Sequence, residues 1–287
     1  MTLAWSAIPT PGTQWQAGRL LADPRHFQIA TLATLLALHL LRFDLGASPL
    51  QAAVTIAAAL TVQLACVRLS GGGFDWRSPL ITGLSLSLLL RTPVPGLWVA
   101  AAFLAIGSKF LLRWRGKHLF NPATFAIAGL LALSPAVWVS PGQWGSPVWL
   151  GVLLVCCAAL VLQRAERADI ALAFLGAYAA LLALRAWLLG DPAAIPLHQL
   201  QSGALLLFAF FMITDPRSTP DSRGGRILFA VAVAGLAYAL QFRWQLRPGL
   251  FYALAAMSPL TPLIDRLLPA PRFAWPAPPR SPSLTEA

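Results

Sequence analysis

Ten apolar segments, joined by short polar or Pro/Gly-rich loops, fill most of this 287-residue chain. Several are about 17 residues long, the lower limit for a helix that crosses the hydrocarbon of a bilayer. Only 11% of the residues are charged, against about 25% in soluble domains. The chain therefore has too few polar side chains to cover a water-facing surface. We therefore predict an all-α integral membrane protein of about ten transmembrane helices, at 27–41, 51–67, 79–90, 97–112, 121–139, 147–162, 169–188, 200–214, 227–241 and 249–264.

The basic residues predict how these segments are oriented. With the N-terminus inside, fifteen Lys and Arg residues fall on the inside and five, including Arg91, on the outside, while Lys109 lies within the fourth segment. This excess of positive charge predicts that both termini are cytoplasmic. We therefore attribute the net charge of +11 to basic residues that orient the spans and contact anionic lipid headgroups. Nucleic acid is not expected as a partner.

The order of the segments divides the chain into regions. Residues 1–26 are expected to form a cytoplasmic N-terminal segment, 27–268 a single transmembrane domain, and 269–287 a Pro-rich cytoplasmic tail. Ten segments divide into two groups of five. When a repeat contains an odd number of membrane-spanning segments, its second copy has the opposite orientation in the membrane. We therefore predict two inverted five-helix repeats, one at about 27–140 and the other at about 147–268.

The third segment of each half is unusually short. Residues 79–90 and 203–213 are too few to cross about 30 Å of hydrocarbon as a helix. Each begins near a hydroxyl-glycine pair, Thr82-Gly83 or Ser202-Gly203, and ends just before a proline. Short, interrupted segments at matching positions of two inverted halves indicate a binding site near the middle of the membrane. The alternative is that both are tilted helices completed by flanking residues.

Three polar residues near segment ends are candidates for that site. Lys109 could extend to the lipid headgroups or face a phosphate or an anionic flavin ring. Asn121 is predicted to cap a helix that starts at Pro122, and such a helix start favours an anion. Asp215, after Thr214, is either a turn residue at the interface or one partner of an ion pair with Arg217.

The sequence contains no pattern that predicts catalysis by the protein alone. There is no nucleophile-base pair, phosphate-binding loop or glycine-rich dinucleotide motif, and the histidines and cysteines lack metal-ligand spacing. No catalytic residue and no metal site are therefore predicted. Any redox activity would require a bound cofactor.

Five segments together resemble a known family of membrane electron-transport subunits. It comprises NqrB of the sodium-pumping NADH:quinone reductase, RnfD of the Rnf complex and the related UnbU-like subgroup. The resemblance covers about residues 20–268, and its Asp-Pro-Arg element is most similar to the UnbU-like subgroup. The matching segments are 23–29, 108–109, 116–123 (with Phe-Asn-Pro), 202–204 and 211–220 (with Thr-Asp-Pro).

The resemblance implies a fold, a cofactor and a setting. The fold would be two inverted five-helix repeats, as in urea transporters, in the cytoplasmic membrane of a prokaryote. The cofactor would be a flavin that carries electrons through the membrane, coupled in the larger complexes to sodium or proton movement. Other redox membrane subunits or flavoproteins would be its partners, and the cofactor-binding candidates would be Thr82, Gly83, Lys109, Asn121, Pro122, Ser202, Gly203, Ala204, Thr214 and Asp215.

The family's usual covalent attachment is not expected here. Family members bind FMN through a phosphoester to the Thr or Ser that closes a Ser/Thr-Gly-Ala-Thr/Ser motif. In this chain Leu205 closes the motif, and a leucine has no hydroxyl group with which to form the ester. The flavin, FMN or riboflavin, would therefore be bound noncovalently. Two other functions remain open: a transporter or channel for a small solute in the same cavity, and a non-catalytic scaffold for redox partners.

Leu205 gives the first testable prediction. The purified chain, denatured in SDS and separated on a gel, should show no flavin fluorescence at its own band, because the ester acceptor is missing. A fluorescent band at the mass of the chain would show that the flavin is attached elsewhere.

Overall fold

The computed structural model describes residues 23–42, 48–140, 159, 162 and 166–274. Most of the predicted N-terminal segment, most of the sixth apolar segment at 147–162 and the end of the Pro-rich tail lie outside the described residues. Helices account for most of what is described. The prediction of a mainly helical protein is therefore confirmed.

Prolines and caps set the helix starts in the first half. Pro49, Pro95 and Pro122 each occupy a first helical position, where the missing N–H costs nothing. Gly71, in the left-handed conformation at φ 69°, ends the second helix. The helices are α1 Pro24–Arg42, α2 Pro49–Ser70, α3 Arg77–Leu89, α4 Pro95–Leu111 and α5 Pro122–Leu133.

The second half contains long helices and several short ones. Gly190, at φ 71°, ends its first long helix, and Ser222 caps the second by accepting a hydrogen bond from the Gly225 N–H at 3.0 Å. The elements are α6 Ala168–Leu189, α7 Ala194–Leu200, α8 Gly203–Leu207, a π-helix Phe208–Met212, α9 Arg223–Phe242, α10 Gly249–Met257, a 3-10 turn Ser258–Leu260 and α11 Thr261–Leu267.

Among the described residues, three helices, α2, α6 and α9, are long and apolar enough to cross a membrane. A fourth span is formed if α7 and the α8–π-helix segment, which meet at a bend of 49°, are taken together. The chain thus has the features of a multi-pass membrane protein. The count of ten spans and the inverted repeat stay predictions.

The third segment is short, as predicted. Helix α3 has 13 residues, about 20 Å at 1.5 Å per residue, and it continues into a strand, β1 Leu90–Arg91. That strand pairs antiparallel with β4 Trp138–Val139. The predicted helix over 121–139 is wrong beyond Leu133, because Ser134 precedes Pro135 and is extended.

A buried arginine satisfies the end of α3. The guanidinium of Arg91, 1% exposed, donates to the carbonyl oxygens of Ser87 at 2.8 Å, Leu88 at 3.0 Å and Leu90 at 2.9 Å. Gln51 of α2 donates to the Leu90 carbonyl as well, at 2.8 Å. Arg91 therefore lies buried in strand β1 rather than in an exposed loop, and its charge binds carbonyl groups that would otherwise be unsatisfied. Its place on the outside of the membrane stays a prediction.

Helix packing follows a similar order in the two halves. In the first half α2 packs against α3 and α4, and α4 against α5. In the second half α6 packs against the π-helix and α9, and α9 against α10. The two halves meet where α5 packs against α10. Phe208 of the π-helix packs between Phe174 and Phe251 in the buried core, with ring centroids 5.1 and 5.8 Å apart.

The contact between α2 and α3 depends on Gly83. A Cβ atom at this position would lie 3.0 Å from the Cα of Ile56, so the two helix backbones would have to move apart. We expect Gly83→Ala to lower stability by about 1–3 kcal/mol, measured as the thermal unfolding midpoint in detergent. Gly176→Ala, where a Cβ would meet open space, should change stability by less than about 1 kcal/mol. Equal effects of the two substitutions would contradict this view of the contact.

Candidate functional site

A polar cavity of about 380 Å³ lies where α3, α4, the start of α5 and the segment after the π-helix meet. Six of the ten predicted site residues line it, and they come from both halves of the chain. They are Thr82, Lys109, Asn121, Pro122, Thr214 and Asp215. Both short segments, 79–90 and 203–213, reach this cavity, since Ser85 and Phe211 also line it. That they mark a binding site near the middle of the membrane stays a prediction.

The other four predicted residues do not line this cavity. Gly83 is used in helix packing, and Ser202 is the N-cap residue of α8. Gly203 and Ala204 are buried in α8. Leu205, at the position of the ester acceptor, is 2% exposed and belongs to the hydrophobic core.

Lys109 is buried beside the cavity rather than extended to the headgroups. Its side chain lies late in α4, is 4% exposed, and donates from Nζ to the Ser78 hydroxyl at 2.9 Å. Asp75 and Asp215 line the same cavity and supply negative charge near the ammonium group. The structure places the Lys109 amine at the wall of the cavity, and the phosphate or flavin ring that it would face stays a prediction.

Asn121 caps α5 as predicted and also joins the two halves. Its Oδ1 accepts a hydrogen bond from the Thr124 N–H at 3.0 Å. Its Nδ2 donates to the carbonyl of Met212, at the end of the π-helix, at 3.3 Å. One side chain thus satisfies a donor at the start of one helix and an acceptor at the end of another.

Asp215 shapes the turn that follows the π-helix. Its carboxylate accepts hydrogen bonds from the Arg217 backbone N–H at 3.1 Å and from the Ser218 hydroxyl at 3.0 Å. Among the described residues the Arg217 guanidinium forms no ion pair with Asp215, so the geometry matches the alternative of a turn residue. The Arg217 side chain lines the cavity. Thr214 donates from its hydroxyl to the Phe210 carbonyl at 2.7 Å.

The π-helix is a feature that the sequence did not predict. Its wider turn is shown by the hydrogen bond from the Ile213 N–H to the Phe208 carbonyl, five residues earlier, at 3.0 Å. Such helices are rare and frequently occur at functional sites. This one places Phe210, Phe211 and Met212 on the cavity wall. No local motif distinguishes the segment from an ordinary apolar helix.

A closed ring of four charged residues lies at one edge of the cavity. Arg25 contacts Asp23 and Asp75 at 2.6 Å each, and Arg77 contacts Asp23 at 2.6 Å and Asp75 at 2.8 Å. The ring fixes the start of α1 to the start of α3. Burial by itself would raise the pKa of Asp75, but hydrogen bonds from Arg77 and the charges of both arginines lower it to about 2.

The cavity has an excess of positive charge. Arg25 and Asp75 are paired within the ring and neutralise each other. The other charged residues of the lining are three basic ones, Lys109, Arg113 and Arg217, and one acidic one, Asp215. His118 adds no charge near neutral pH, because burial and the nearby charges of Arg217, Lys109 and Arg113 lower its pKa to about 3. A site of this kind is suited to an anion.

Two buried polar atoms in the cavity wall lack a hydrogen-bond partner within the described part of the chain. They are Oε1 of Gln63, an acceptor, and Nδ1 of His118, which accepts or donates according to the ring tautomer. Buried polar atoms are nearly always satisfied, so each such atom indicates a missing partner, which for Gln63 is a donor. The cavity is therefore complementary to a molecule that carries both an anionic group and N–H or O–H donors.

The fold and the cavity define a multi-pass helical membrane protein with a cationic internal site. Residues 139–273 match the NQR2, RnfD, RnfE family. The chain is 29% identical to the D subunit of the ion-translocating oxidoreductase complex of Stutzerimonas stutzeri, over 75% of this chain and 81% of that protein. It is 24% identical to the D subunit of the proton-translocating ferredoxin:NAD(+) oxidoreductase complex of Clostridium ljungdahlii, over 68% and 74%.

A third relative matches a shorter stretch at higher identity. The D subunit of the ion-translocating oxidoreductase complex of Tolumonas auensis is 36% identical over 33% of this chain and 27% of its own length. The resemblance to the NqrB/RnfD family is thereby confirmed. The closer likeness to the UnbU-like subgroup stays a prediction.

The charged ring gives a prediction about pH. Because the folded pKa of Asp75 lies below the ordinary value of 3.8, its ionised form stabilises the fold above about pH 4, and this contribution is lost as the pH falls towards 2. The thermal midpoint of Asp75→Asn should therefore lie below that of the wild type at pH 6, and the gap should narrow as the pH falls.

The matched control is Asp191→Asn, which removes a carboxylate held by one ion pair, with Arg185 at 3.3 Å. Its midpoint should fall less at pH 6, because the substitution removes one ion pair, whereas Asp75→Asn removes two. A gap between wild type and Asp75→Asn that stays constant down to pH 2.5 would contradict the role given to the ring.

Proposed function

We propose that this chain is a membrane subunit of an ion-translocating oxidoreductase complex, in which it takes part in flavin-mediated electron transfer across the membrane. The observation that carries the proposal is the cationic cavity, whose lining joins basic side chains, a capped helix start and three phenylalanine residues. The names of the relatives in Stutzerimonas stutzeri and Clostridium ljungdahlii support the assignment to such a complex.

The residues present fit a noncovalently bound flavin mononucleotide. A volume of about 380 Å³ is within the range of small-molecule sites, roughly 300–1,000 Å³. Lys109, Arg113 and Arg217 would hold the phosphate, and the start of α5 would add its positive dipole end. When bound, a flavin supplies one- and two-electron transfer, which the protein side chains cannot supply.

The remaining lining residues would position the ligand. Phe210 and Phe211 offer apolar surface for a ring system, and Gln63 and His118 offer acceptors for its N–H or hydroxyl groups. Asn121 would keep the π-helix and the start of α5 at a fixed distance. Burial of Lys109 excludes water from its ammonium group and strengthens its attraction to an anion.

Ten spans in two inverted repeats are part of the proposal. The shared packing order, in which the second segment of each half contacts the third and fourth and the fourth contacts the fifth, supports the repeat. Loops predicted to be cytoplasmic also lie together, since residues within 24–25, 73–78, 109–123 and 214–217 line one cavity. This supports cytoplasmic termini in a prokaryotic cytoplasmic membrane, with other redox subunits or flavoproteins as partners.

The test is the absorbance spectrum of the detergent-purified chain, followed by acid precipitation. Flavin bands are expected in the native protein, and the flavin should remain in the supernatant after precipitation. Arg217→Gln should weaken FMN binding about tenfold, because one charge-assisted hydrogen bond to the phosphate is lost. Arg243→Gln, at an exposed arginine that does not line the cavity, should leave binding unchanged.

A colourless protein that takes up no added FMN would contradict the flavin assignment. Uptake of a small solute into proteoliposomes, abolished by Arg217→Gln, would then favour a transporter. Neither activity would favour a scaffold for redox partners.

A further inference from the structure

A second, smaller cavity of about 140 Å³ opens next to the first. It lies between the hairpin of strands β2 Arg113–Trp114 and β3 Lys117–His118, helix α11, and the residues that follow α11. Arg115, Arg266 and Arg272 line it and are exposed. The three guanidinium groups come from two parts of the chain that are about 150 residues apart, so the fold concentrates positive charge here.

The acidic residues of this cavity are already paired with one lysine. Nζ of Lys117 lies 3.0 Å from a carboxylate oxygen of Asp221 and 2.9 Å from one of Asp265. The Asp221 backbone N–H also donates to Asp265, at 2.8 Å. Within the described residues, none of the three arginines forms an ion pair with a carboxylate. The cavity therefore retains positive charge that can bind an anion.

Apolar and aromatic side chains border the charge. Leu267 is 71% exposed on α11, next to Arg266, and Leu263 is exposed one turn earlier on the same face. Trp114 is half-exposed, and the Arg266 guanidinium lies 5.7 Å from its ring centroid. Exposed leucines beside arginine and tryptophan are typical of the boundary between acyl chains and headgroups.

We propose that this cavity binds the phosphodiester headgroup of an anionic phospholipid, with the acyl chains lying along the exposed leucines. A phosphate group fits the size and charge of the cavity, and basic pockets at the cytoplasmic ends of membrane helices bind such headgroups. Free inorganic phosphate shares the charge of the lipid but has nothing to place against Leu263 and Leu267. The lipid would also hold the β2–β3 hairpin, whose His118 lines both cavities.

The test is lipid binding to the detergent-purified full chain, measured by native mass spectrometry with added cardiolipin, phosphatidylglycerol or phosphatidylcholine. The wild type should bind the two anionic lipids and bind phosphatidylcholine at least tenfold more weakly. The double variant Arg266→Gln/Arg272→Gln should bind anionic lipid about thirtyfold more weakly, which corresponds to about 1 kcal/mol for each guanidinium.

The matched control is Arg243→Gln/Arg247→Gln, which removes two exposed arginines beside the exposed Trp244 and away from this cavity. It should keep wild-type lipid binding. If the glutamine double variant does not fold, two other double variants are compared with each other. Arg266→Lys/Arg272→Lys keeps the charge and should keep lipid binding, whereas Leu263→Ser/Leu267→Ser weakens the apolar contact and should weaken lipid binding.

Three results would overturn the proposal. The control could lose as much lipid as Arg266→Gln/Arg272→Gln, the wild type could bind phosphatidylcholine as tightly as the anionic lipids, or millimolar inorganic phosphate could displace the lipid. The flavin content of Arg266→Gln/Arg272→Gln should equal that of the wild type, because neither arginine lines the larger cavity. The lipid site and the flavin site can therefore fail independently.

Discussion

Helices that end inside a membrane protein must have their terminal carbonyl groups satisfied by the protein itself, and the rest of this structure depends on that requirement. Helix α3 ends at Leu89; Arg91 binds the carbonyls of Ser87 and Leu88, and Gln51 binds that of Leu90, the next residue. The π-helix ends at Met212, and Asn121 binds its carbonyl. Because Gln51 and Asn121 come from distant parts of the chain, each of these ends is joined to a neighbouring element.

Both interrupted segments line the cavity, α3 with its first turns and the π-helix with its last residues. Thr82 on α3 and Thr214 after the π-helix reach this space from opposite halves. Their hydroxyl groups donate to carbonyls four residues earlier, at 3.0 and 2.7 Å, which leaves the oxygen lone pairs to face the cavity.

The sequence predicts the features that arise from local chemistry. The Asn121 cap and Pro122 at the first helical position follow from helix-start preferences. The short third helix follows from the small number of consecutive apolar residues in that segment. The features that it misses depend on tertiary contacts. Burial of Arg91 could not be foreseen, because a basic residue beside Thr-Pro has the pattern of a loop, and only the packed carbonyls of α3 retain it inside.

The position of Leu205 shows why a missing ester acceptor and an intact cavity can occur together. Leu205 lies in the apolar core with Phe208, on a helix turn that does not line the cavity, whereas the basic side chains come from α4, the β2–β3 hairpin and the turn after the π-helix. A leucine there adds buried apolar surface. Its side chain removes no hydrogen bond from the cavity wall. Covalent attachment and the proposed noncovalent binding would therefore depend on different residues, and the absence of the first places no structural constraint on the second.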